Sequence, residues 1–365
     1  MDFFNTHISD KAIRAVNDVL KSGFVSAGNM AKNFEDALAK ELGLINPVSV
    51  NSGTSALHLG LVVANIKPGD EVILPAQTFI ATGLAVLMQG AVPVFADIQH
   101  DTGNIDPESI RTKITERTKL IIAVHWGGYP CDMDEINAIA NEFNLLVMED
   151  AAHALGAIYK DRPIGSISNF TAFSFQAIKH LTTGDGGALC CKENIDYFEA
   201  KKKRWFGIDR ENSKPSELGE RLFDIDEVGY KYHLNDVSAA IGLGNLKNFS
   251  SQLSRIQQIA KIYRDELEKV EGLQLLDYKE DRRSAYWLFT VLVENRGDFV
   301  QKLKENNVPS SVVNQRIDRF SVFKQNNEQL KNQEIFDKKQ ISIPIHPAIT
   351  DDDISIILTS IKNGW

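Results

Sequence analysis

The chain of 365 residues has few cysteines and no long hydrophobic run. Its three cysteines are Cys131, Cys190 and Cys191, and an odd count with two adjacent members does not indicate a disulfide framework. No Cys-x-x-Cys pair is present, so the sequence predicts no metal site. No stretch of about 18 apolar residues offers a membrane span, and the N-terminus lacks the basic start and apolar core of a signal peptide. We therefore expect a cytoplasmic protein.

Positive charge is in the minority, with 40 Lys and Arg against 49 Asp and Glu and a net charge of −9. The short basic run KKKR (201–204) lies beside an apolar stretch, which favours a solvated helix face over a nucleic-acid patch. We expect neither nucleic acid nor a membrane as partner. The length allows a sizeable core and predicts two domains.

The apolar pattern changes along the chain. Residues 8–42 have helical spacing, with Ile13, Val16, Val19 and Leu20 in the first helix. Between about 48 and 192, helical stretches alternate with short apolar runs, namely EVILP (71–75), VPVFAD (92–97), KLIIAVH (119–125), LLVMED (145–150) and GALCC (187–191). Runs that are apolar on both faces are typical of buried strands in a largely parallel sheet covered by helices. Ligands of such sheets bind at the carboxyl ends of the strands.

A long amphipathic helix is predicted over 247–270 and leads into a second domain. Strands near 286–294 and 341–345 and helices near 297–306 and 351–363 complete it. The predicted domains are therefore 1–246, which binds the ligand, and 247–365, which is smaller.

One lysine stands in an unusual context. Lys179 follows the apolar run Phe173-Ser174-Phe175 and precedes the turn Thr182-Thr183-Gly184-Asp185-Gly186-Gly187. Burial or a neighbouring cation lowers the pKa of a lysine and makes it nucleophilic. Taken alone, an ordinary surface lysine before a glycine turn would look the same.

Three other motifs favour a functional role for this lysine. The loop NSGTSALH (51–58) opens an apolar helix whose N-terminus favours a phosphate, although an ordinary capped helix would look similar. Phe79 follows the end of a strand, and its side chain could either stack on a flat ring of a ligand or pack in the hydrophobic core. Asp150, in EDAAH (149–153), ends a buried strand and needs a partner, which is a pyridinium N–H or a helix N-terminus.

In this order, the motifs NSGTSALHL, EDAAHA and SF-x4-K-x2-TTG-x-GG resemble the DegT/DnrJ/EryC1/StrS family of nucleotide-sugar aminotransferases, over nearly the whole chain. The resemblance implies an aspartate aminotransferase-like α/β fold (fold type I), with a large domain on a mixed, mostly parallel sheet and a smaller C-terminal α/β domain. It also implies pyridoxal 5′-phosphate as cofactor, with pyridoxamine phosphate as its amine form.

The resemblance assigns Lys179 as the lysine that bonds to the cofactor and then moves the proton. The other implied cofactor contacts are Asp150 at the pyridine nitrogen, Phe79 and His153 at the ring, and Thr54, Ser55 and Ser174 at the phosphate. Family members complete the site from a neighbouring subunit, so a homodimer with active sites at its interface is implied. The matching stretch is 229–236, where either Lys231 or His233 reaches the partner's cofactor.

The implied reaction moves an amino group from glutamate to a nucleotide-linked sugar, for a surface polysaccharide or glycan. The TTG-x-GG turn resembles members that act at C4 of 4-keto-6-deoxy sugars, and the nucleotide stays open. The substrate cleft is expected to use residues 23–29, 125–129 and 310–323, with His180 and Arg316 as substrate contacts; for Arg316 an ion pair with Asp318 is the alternative.

Other functions also fit the resemblance. They are a C3 sugar or cyclitol aminotransferase, a cofactor-dependent sugar dehydratase and a non-catalytic cofactor-binding regulator. The dehydratases have histidine at the lysine position, and His180 is adjacent to it. Counting back from Thr182 places Lys179 at that position, which favours transamination.

Overall fold

The structure is a computed structural model that describes residues 1–323 and 329–365. Its α-helices are α1 (Asp10–Ser22), α2 (Asn29–Leu42), α3 (Gly53–Val63), α4 (Ile80–Met88), α5 (Pro107–Lys113), α6 (Met133–Glu142), α7 (Asn194–Lys203), α8 (Asp236–Leu267), α9 (Arg296–Glu305), α10 (Lys331–Lys339) and α11 (Asp351–Lys362). Its strands are β1 (Pro47–Val50), β2 (Glu71–Pro75), β3 (Val92–Ala96), β4 (Thr118–Val124), β5 (Leu146–Asp150), β6 (Ile158–Tyr159), β7 (Arg162–Pro163), β8 (Phe170–Ser174), β9 (Gly187–Cys191), β10 (Lys214–Pro215), β11 (Arg221–Leu222), β12 (Leu273–Leu275), β13 (Arg282–Arg283), β14 (Phe289–Val293) and β15 (Gln340–Ile343).

The central sheet has seven strands in the order β1-β9-β8-β5-β4-β2-β3. Strand β9 runs antiparallel to both of its neighbours, and the pairs from β8 to β3 are parallel. The five apolar runs of the sequence became β2, β3, β4, β5 and β9, so the prediction of a mostly parallel sheet is confirmed. The sequence pattern missed β1 and β8.

Helices cover both faces of this sheet, and strand β4 shows why its residues 120–124 are all apolar. Leu120 and Ile122 pack in the same core cluster as Leu59 of α3 and Val86 of α4. Alternate residues such as Ile121 pack in the other cluster, which contains residues of α2, α6 and α8. Because successive side chains of a strand point to opposite faces, a strand covered on both sides must be apolar at every position.

Local capping sets the helix bounds near the N-terminus. The Ser9 hydroxyl accepts the Ala12 N–H at 3.1 Å at the start of α1, and Gly23 ends it at φ 74°. The predicted helix is present, but its buried residues are Ala12 and Val19, while Ile13 and Leu20 are exposed. The predicted helix is therefore confirmed, and Val19 is the buried member of its apolar set.

Helix α8 joins the sheet to a smaller unit. Its first half contributes Leu246 and Phe249 to the core beneath the sheet. Its second half contributes Ile256 and Ile259 to a separate core, which packs against the antiparallel sheet β12-β14-β15 and helices α9 and α11. The helix begins at Asp236, not near residue 247, so the boundary proposed at 246/247 falls inside it.

Within residues 1–323 and 329–365, no helix combines the length and apolar character needed to cross a bilayer.

Candidate active site

A cavity of about 490 Å³ lies at the carboxyl ends of the central strands. Val124 ends β4, Asp150 ends β5 and Ser174 ends β8, and all three line it. The N-terminus of α3 supplies Ser52, Gly53 and Thr54, and the remaining described lining residues are Phe4, Leu57, Thr78, Phe79, Ala81, Ala152, His153, Ala172, Gln176, Ile178, Lys179, Asp185, Gly186, Trp287, Val313 and Asn314. The location is the one that open α/β sheets use for ligands.

The start of α3 forms one wall of the cavity. The Ser52 hydroxyl caps the helix by accepting the Ser55 N–H at 3.0 Å. A Cβ on Gly53 would lie 2.9 Å from the Ser174 Cβ, so only glycine lets the helix approach the end of β8 this closely. The first turn of α3 and the positive end of its helix dipole therefore face the cavity, which suits an anion.

Thr54 and Ser174 lie on this wall, as predicted for phosphate contacts, but Ser55 does not. Its hydroxyl donates to the Asn51 Oδ1 at 2.7 Å and also lies 2.9 Å from the Ser52 hydroxyl. Ser55 is buried inside the loop that it holds in shape. The phosphate contact expected of Ser55 stays a prediction.

Asp150 is a buried carboxylate that reaches the cavity from the end of β5. The Thr82 hydroxyl donates to its Oδ2 at 2.7 Å, and the Ala152 N–H donates to its Oδ1 at 3.2 Å. Burial raises the pKa of Asp150, while these two hydrogen bonds and the Lys179 charge oppose the rise. The sequence pattern did not single out Thr82, which lies 68 residues away in α4.

Lys179 lies in the turn after β8, with its amine end enclosed by the cavity. Its Nζ is 3.6 Å from the centre of the Trp287 ring. Burial lowers the pKa of Lys179 to about 7, and the nearby Asp150 carboxylate works against this fall. A lysine with such a pKa is partly neutral near pH 7, which is the state a nucleophile or general base requires.

An aromatic wall closes the cavity beside the lysine. His153 stacks on Trp287 with ring centres 3.8 Å apart and an angle of 17°. The His153 Nδ1 is buried and has no hydrogen-bond partner among the described residues. Burial lowers the pKa of His153 well below its ordinary value, so the ring is neutral. A buried ring nitrogen without such a partner at a cavity wall can serve as a polar contact for a bound group.

Phe79 is exposed and lines the cavity where α4 begins. The structure therefore brings six predicted cofactor contacts onto one cavity: Thr54, Phe79, Asp150, His153, Ser174 and Lys179.

Lys231 and His233 lie elsewhere in the chain's fold. The Lys231 Nζ is 3.5 Å from the centre of the Trp205 ring, and His233 lines a separate groove of about 630 Å³. Burial, together with the nearby Lys231 charge, lowers the pKa of His233 to about 4. The segment is nevertheless tied to the α3 loop, because the Asn51 N–H donates to the Tyr232 carbonyl at 2.7 Å.

The two predicted substrate contacts are occupied by the protein itself. The His180 Nε2 is 2.8 Å from the Ala285 carbonyl, and burial lowers the pKa of His180 to about 4. Arg316 is buried and forms a two-pronged ion pair with Asp318, at 2.8 and 2.6 Å. The alternative reading of Arg316 is therefore the one found, although the pair is buried rather than on the surface.

Of the three stretches expected around a substrate cleft, only 310–323 reaches the cavity, through Val313 and Asn314. Residues 23–29 contribute to the separate groove, and the 125–128 segment is buried. His125 has a structural role there, since its Nδ1 accepts the Cys131 N–H at 3.0 Å and its Nε2 bonds to Glu149 at 2.9 Å.

Comparison with known proteins identifies what the chain resembles. The model of the DegT/DnrJ/EryC1/StrS aminotransferase family matches residues 6–362. The spore coat polysaccharide biosynthesis protein SpsC of Bacillus subtilis is 35% identical, over 98% of this chain and 95% of that protein. The UDP-4-amino-4-deoxy-L-arabinose–oxoglutarate aminotransferase of Shewanella sediminis is 32% identical, over 97% and 95%.

Solved structures agree with these relatives. AtS13 from Actinomadura melliaura superposes with a TM-score of 0.95 and 35% identity, over 100% of this chain and 99% of that one. Spr1654 from Streptococcus pneumoniae, in its PLP-form, gives a TM-score of 0.90 and 30% identity, over 100% of this chain and 98% of that one. These similarities confirm the predicted family and fold class.

Proposed function

Because this chain belongs to the DegT/DnrJ/EryC1/StrS aminotransferase family, we propose that it transfers the amino group of glutamate to C4 of a nucleotide-linked 4-keto-6-deoxy sugar. It is an aminotransferase of a family that depends on pyridoxal phosphate. The observation that carries the proposal is the meeting of the Lys179 amine and the buried Asp150 carboxylate in one cavity.

The described residues fit pyridoxal phosphate. The N-terminus of α3, with Thr54 and Ser174, would hold the phosphate, and Asp150 would pair with the pyridine N–H. The unpartnered Nδ1 of His153 supplies a further polar contact for a bound group. When bound, the cofactor supplies an electron sink that lets an amino group pass between two carbon skeletons.

The protein's own groups would then do the following work. Lys179, with a pKa of about 7, can take a proton from the reacting carbon and return it at neutral pH. The negative charge of Asp150 is fixed by Thr82 and the Ala152 N–H, so it does not have to reorganise during the reaction. The enclosed walls formed by Trp287 and His153 limit the access of water to the lysine.

The donor and the position of attack rest on two supports. One relative carries 4-amino-4-deoxy-L-arabinose and oxoglutarate in its name, which favours C4 and the glutamate–2-oxoglutarate couple. The TTG-x-GG turn that follows Lys179 is the second support. The similarity to SpsC favours a role in making a surface polysaccharide.

A substrate panel tests this proposal. Purified protein with pyridoxal phosphate is offered UDP-, GDP- and dTDP-linked 4-keto-6-deoxy sugars together with glutamate, and 2-oxoglutarate is measured. We expect one nucleotide series to give sugar-dependent release. A 3-keto sugar and a cyclitol ketone serve as comparison acceptors. Release with either of them, and with no 4-keto sugar, would contradict the C4 assignment and leave the family intact.

We also propose a homodimer. Residues 195–228 expose many large apolar side chains, namely Ile195, Phe198, Phe206, Leu218, Leu222, Phe223, Ile225 and Val228. So many exposed apolar side chains within one short stretch are typical of a protein interface. Lys231 and His233 adjoin this stretch and do not reach the chain's own cavity, so a second copy is the site they can serve.

Phe223→Asp is expected to weaken this dimer. Sedimentation of the wild type should give twice the chain mass of 40.7 kDa, whereas the variant should dissociate at micromolar concentration because a charge is buried at the interface. Ile356→Asp is the matched control, since Ile356 is 45% exposed and Phe223 49% exposed, but Ile356 lies on α11 outside the stretch. Equal sedimentation of both variants would place the interface elsewhere.

A further inference from the structure

Trp287 connects the smaller unit to the lysine of the cavity. It lies between β13 and β14 and is buried. Its Nε1–H donates to the Ile178 carbonyl at 2.9 Å, which fixes the backbone next to Lys179. Its ring centre is 3.6 Å from the Lys179 Nζ, within the range of a cation–π contact. One side chain therefore contacts both the backbone and the amine of this turn.

The orientation of the Trp287 ring is fixed by its neighbours. His153 stacks on it at 3.8 Å, and Phe4 from the N-terminal segment stacks on it at 5.1 Å with an angle of 21°. With its N–H already engaged by Ile178, the ring has no freedom to turn away from the amine. A partner that is held in place in advance binds a charge without an ordering cost.

The loop that carries Trp287 is also fixed in place. The Ala285 N–H donates to the Gly128 carbonyl at 3.0 Å, and the Leu288 N–H donates to the Gly127 carbonyl at 3.1 Å. Gly128 has a φ of 96°, and a Cβ there would lie 2.6 Å from the His153 carbonyl and 2.9 Å from the Tyr286 nitrogen. Only glycine permits this close approach, so the backbone itself sets the position of Trp287.

We propose that Trp287 holds the free amine of Lys179, so that its ring is the resting position of this amine whenever the amine is not bonded to the cofactor. The inference rests on the proposed function, because a transaminase must release its lysine while the cofactor carries the amino group. The contact stabilises only the form with a free lysine. Trp287 is therefore a positioning residue. It affects the equilibrium between the form in which Lys179 is bonded to the cofactor and the form in which Lys179 is free.

The first test uses the cofactor-free protein. The rate at which an amine reagent labels Lys179 is measured by mass spectrometry from pH 5 to pH 10, for wild type, Trp287→Phe and Trp287→Leu. In the wild type we expect a midpoint near pH 7, as the lowered pKa requires. Below this midpoint, Trp287→Leu should be labelled about three to thirty times faster, because the cation–π contact stabilises the protonated, unreactive amine by such a factor. Well above the midpoint the two proteins should react alike. Trp287→Phe keeps an aromatic face and should stay near the wild type.

Trp126→Leu is the matched control. Trp126 is buried in the same apolar cluster as Trp287 and its ring also meets His153, at 6.0 Å. It does not line the cavity, and its Nε1 has no partner among the described residues. The loss of either indole leaves a void of similar size, but only the loss of the Trp287 indole removes a contact of Lys179. Equal labelling of Trp126→Leu and Trp287→Leu would overturn the proposal.

The second test measures the balance itself. The visible absorbance of the loaded protein is recorded at set ratios of glutamate to 2-oxoglutarate, and the ratio at half conversion is read off. Trp287→Leu should need a ratio about three to thirty times higher, because only its free-lysine form has lost a contact. Trp126→Leu should match the wild type. If glutamate does not change the absorbance of the wild type, the donor assignment is refuted, and the labelling test still decides the role of Trp287. If Trp287→Leu reaches half conversion at the same ratio of glutamate to 2-oxoglutarate as the wild type, the present inference is overturned.

Discussion

Replacing Lys179 by alanine is expected to abolish the visible absorbance band of the lysine-bound cofactor and to lower turnover at least about a thousandfold. General base catalysis alone contributes about a hundredfold to ten-thousandfold, and covalent attachment adds to it. Among the described residues that line the cavity, Lys179 is the only lysine, so no other lysine there can form the bond to the cofactor. Absorbance spectra after removal of unbound pyridoxal phosphate, together with 2-oxoglutarate release, measure both effects.

Lys192→Ala is the control for this variant, because Lys192 is an exposed lysine that follows β9 and is remote from the cavity lining. It should keep the band and the activity. A small primary amine in the buffer should restore part of the turnover of Lys179→Ala, since the missing group is an amine. A wild type that shows no visible band would exclude the lysine-bound cofactor, and would favour the dehydratase or another function without such a bond.

Asp150→Asn is expected to reduce turnover about a hundredfold while leaving the fold intact. The asparagine has the same shape but cannot hold the ring nitrogen protonated by charge, and loss of one partner of a buried charge pair costs about 2–5 kcal/mol. The change also affects the lysine. Because the Asp150 carboxylate raises the pKa of Lys179, its removal should move the labelling midpoint of the cofactor-free protein below pH 7.

The stability of this variant separates a chemical effect from a folding defect. Burial raises the pKa of Asp150 in the folded protein, so above that pKa the charged carboxylate makes the fold less stable than a neutral group would. The cofactor-free Asp150→Asn protein should therefore unfold at the same temperature as the wild type or higher. Thr82→Val removes one hydroxyl bonded to Asp150 and should give a smaller loss, about tenfold. A large fall in melting temperature would attribute the loss to folding.

The sequence predicted the parts of the fold whose causes are local. Strands β2 and β5 each contain three successive apolar residues, so their bounds could be read within a residue or two. Strand β8 carries Thr171 inside a short run, and this polar residue hid the pattern. Its hydroxyl donates to the buried Glu149 carboxylate at 3.3 Å, a partner that only the assembled sheet supplies.

The residues of the candidate site also differ in whether the local sequence could predict them. Asp150, Ser174 and Lys179 lie at strand ends or in the next turn, so the position of the strands brings them together. Trp287 and Phe4 carry no local signal, because they reach the cavity only when the smaller unit and the N-terminal segment fold onto the sheet. His180 and Arg316 are the opposite case. Each is polar and close to the site in sequence, but each is already bonded within the protein.

Helix α8 limits how this enzyme can be recombined with its relatives. One continuous helix carries Phe249 in the core of the sheet and Ile256 in the core of the smaller unit. A chimera joined at residue 246 would place Phe249 of one parent in the sheet core of the other, while Ile256 would stay with its own core. An exchange point between Leu253 and Ile256 keeps the buried residues of each half of the helix with the core that they fill. Recombination is therefore best placed inside this helix, where its contacts pass from one core to the other.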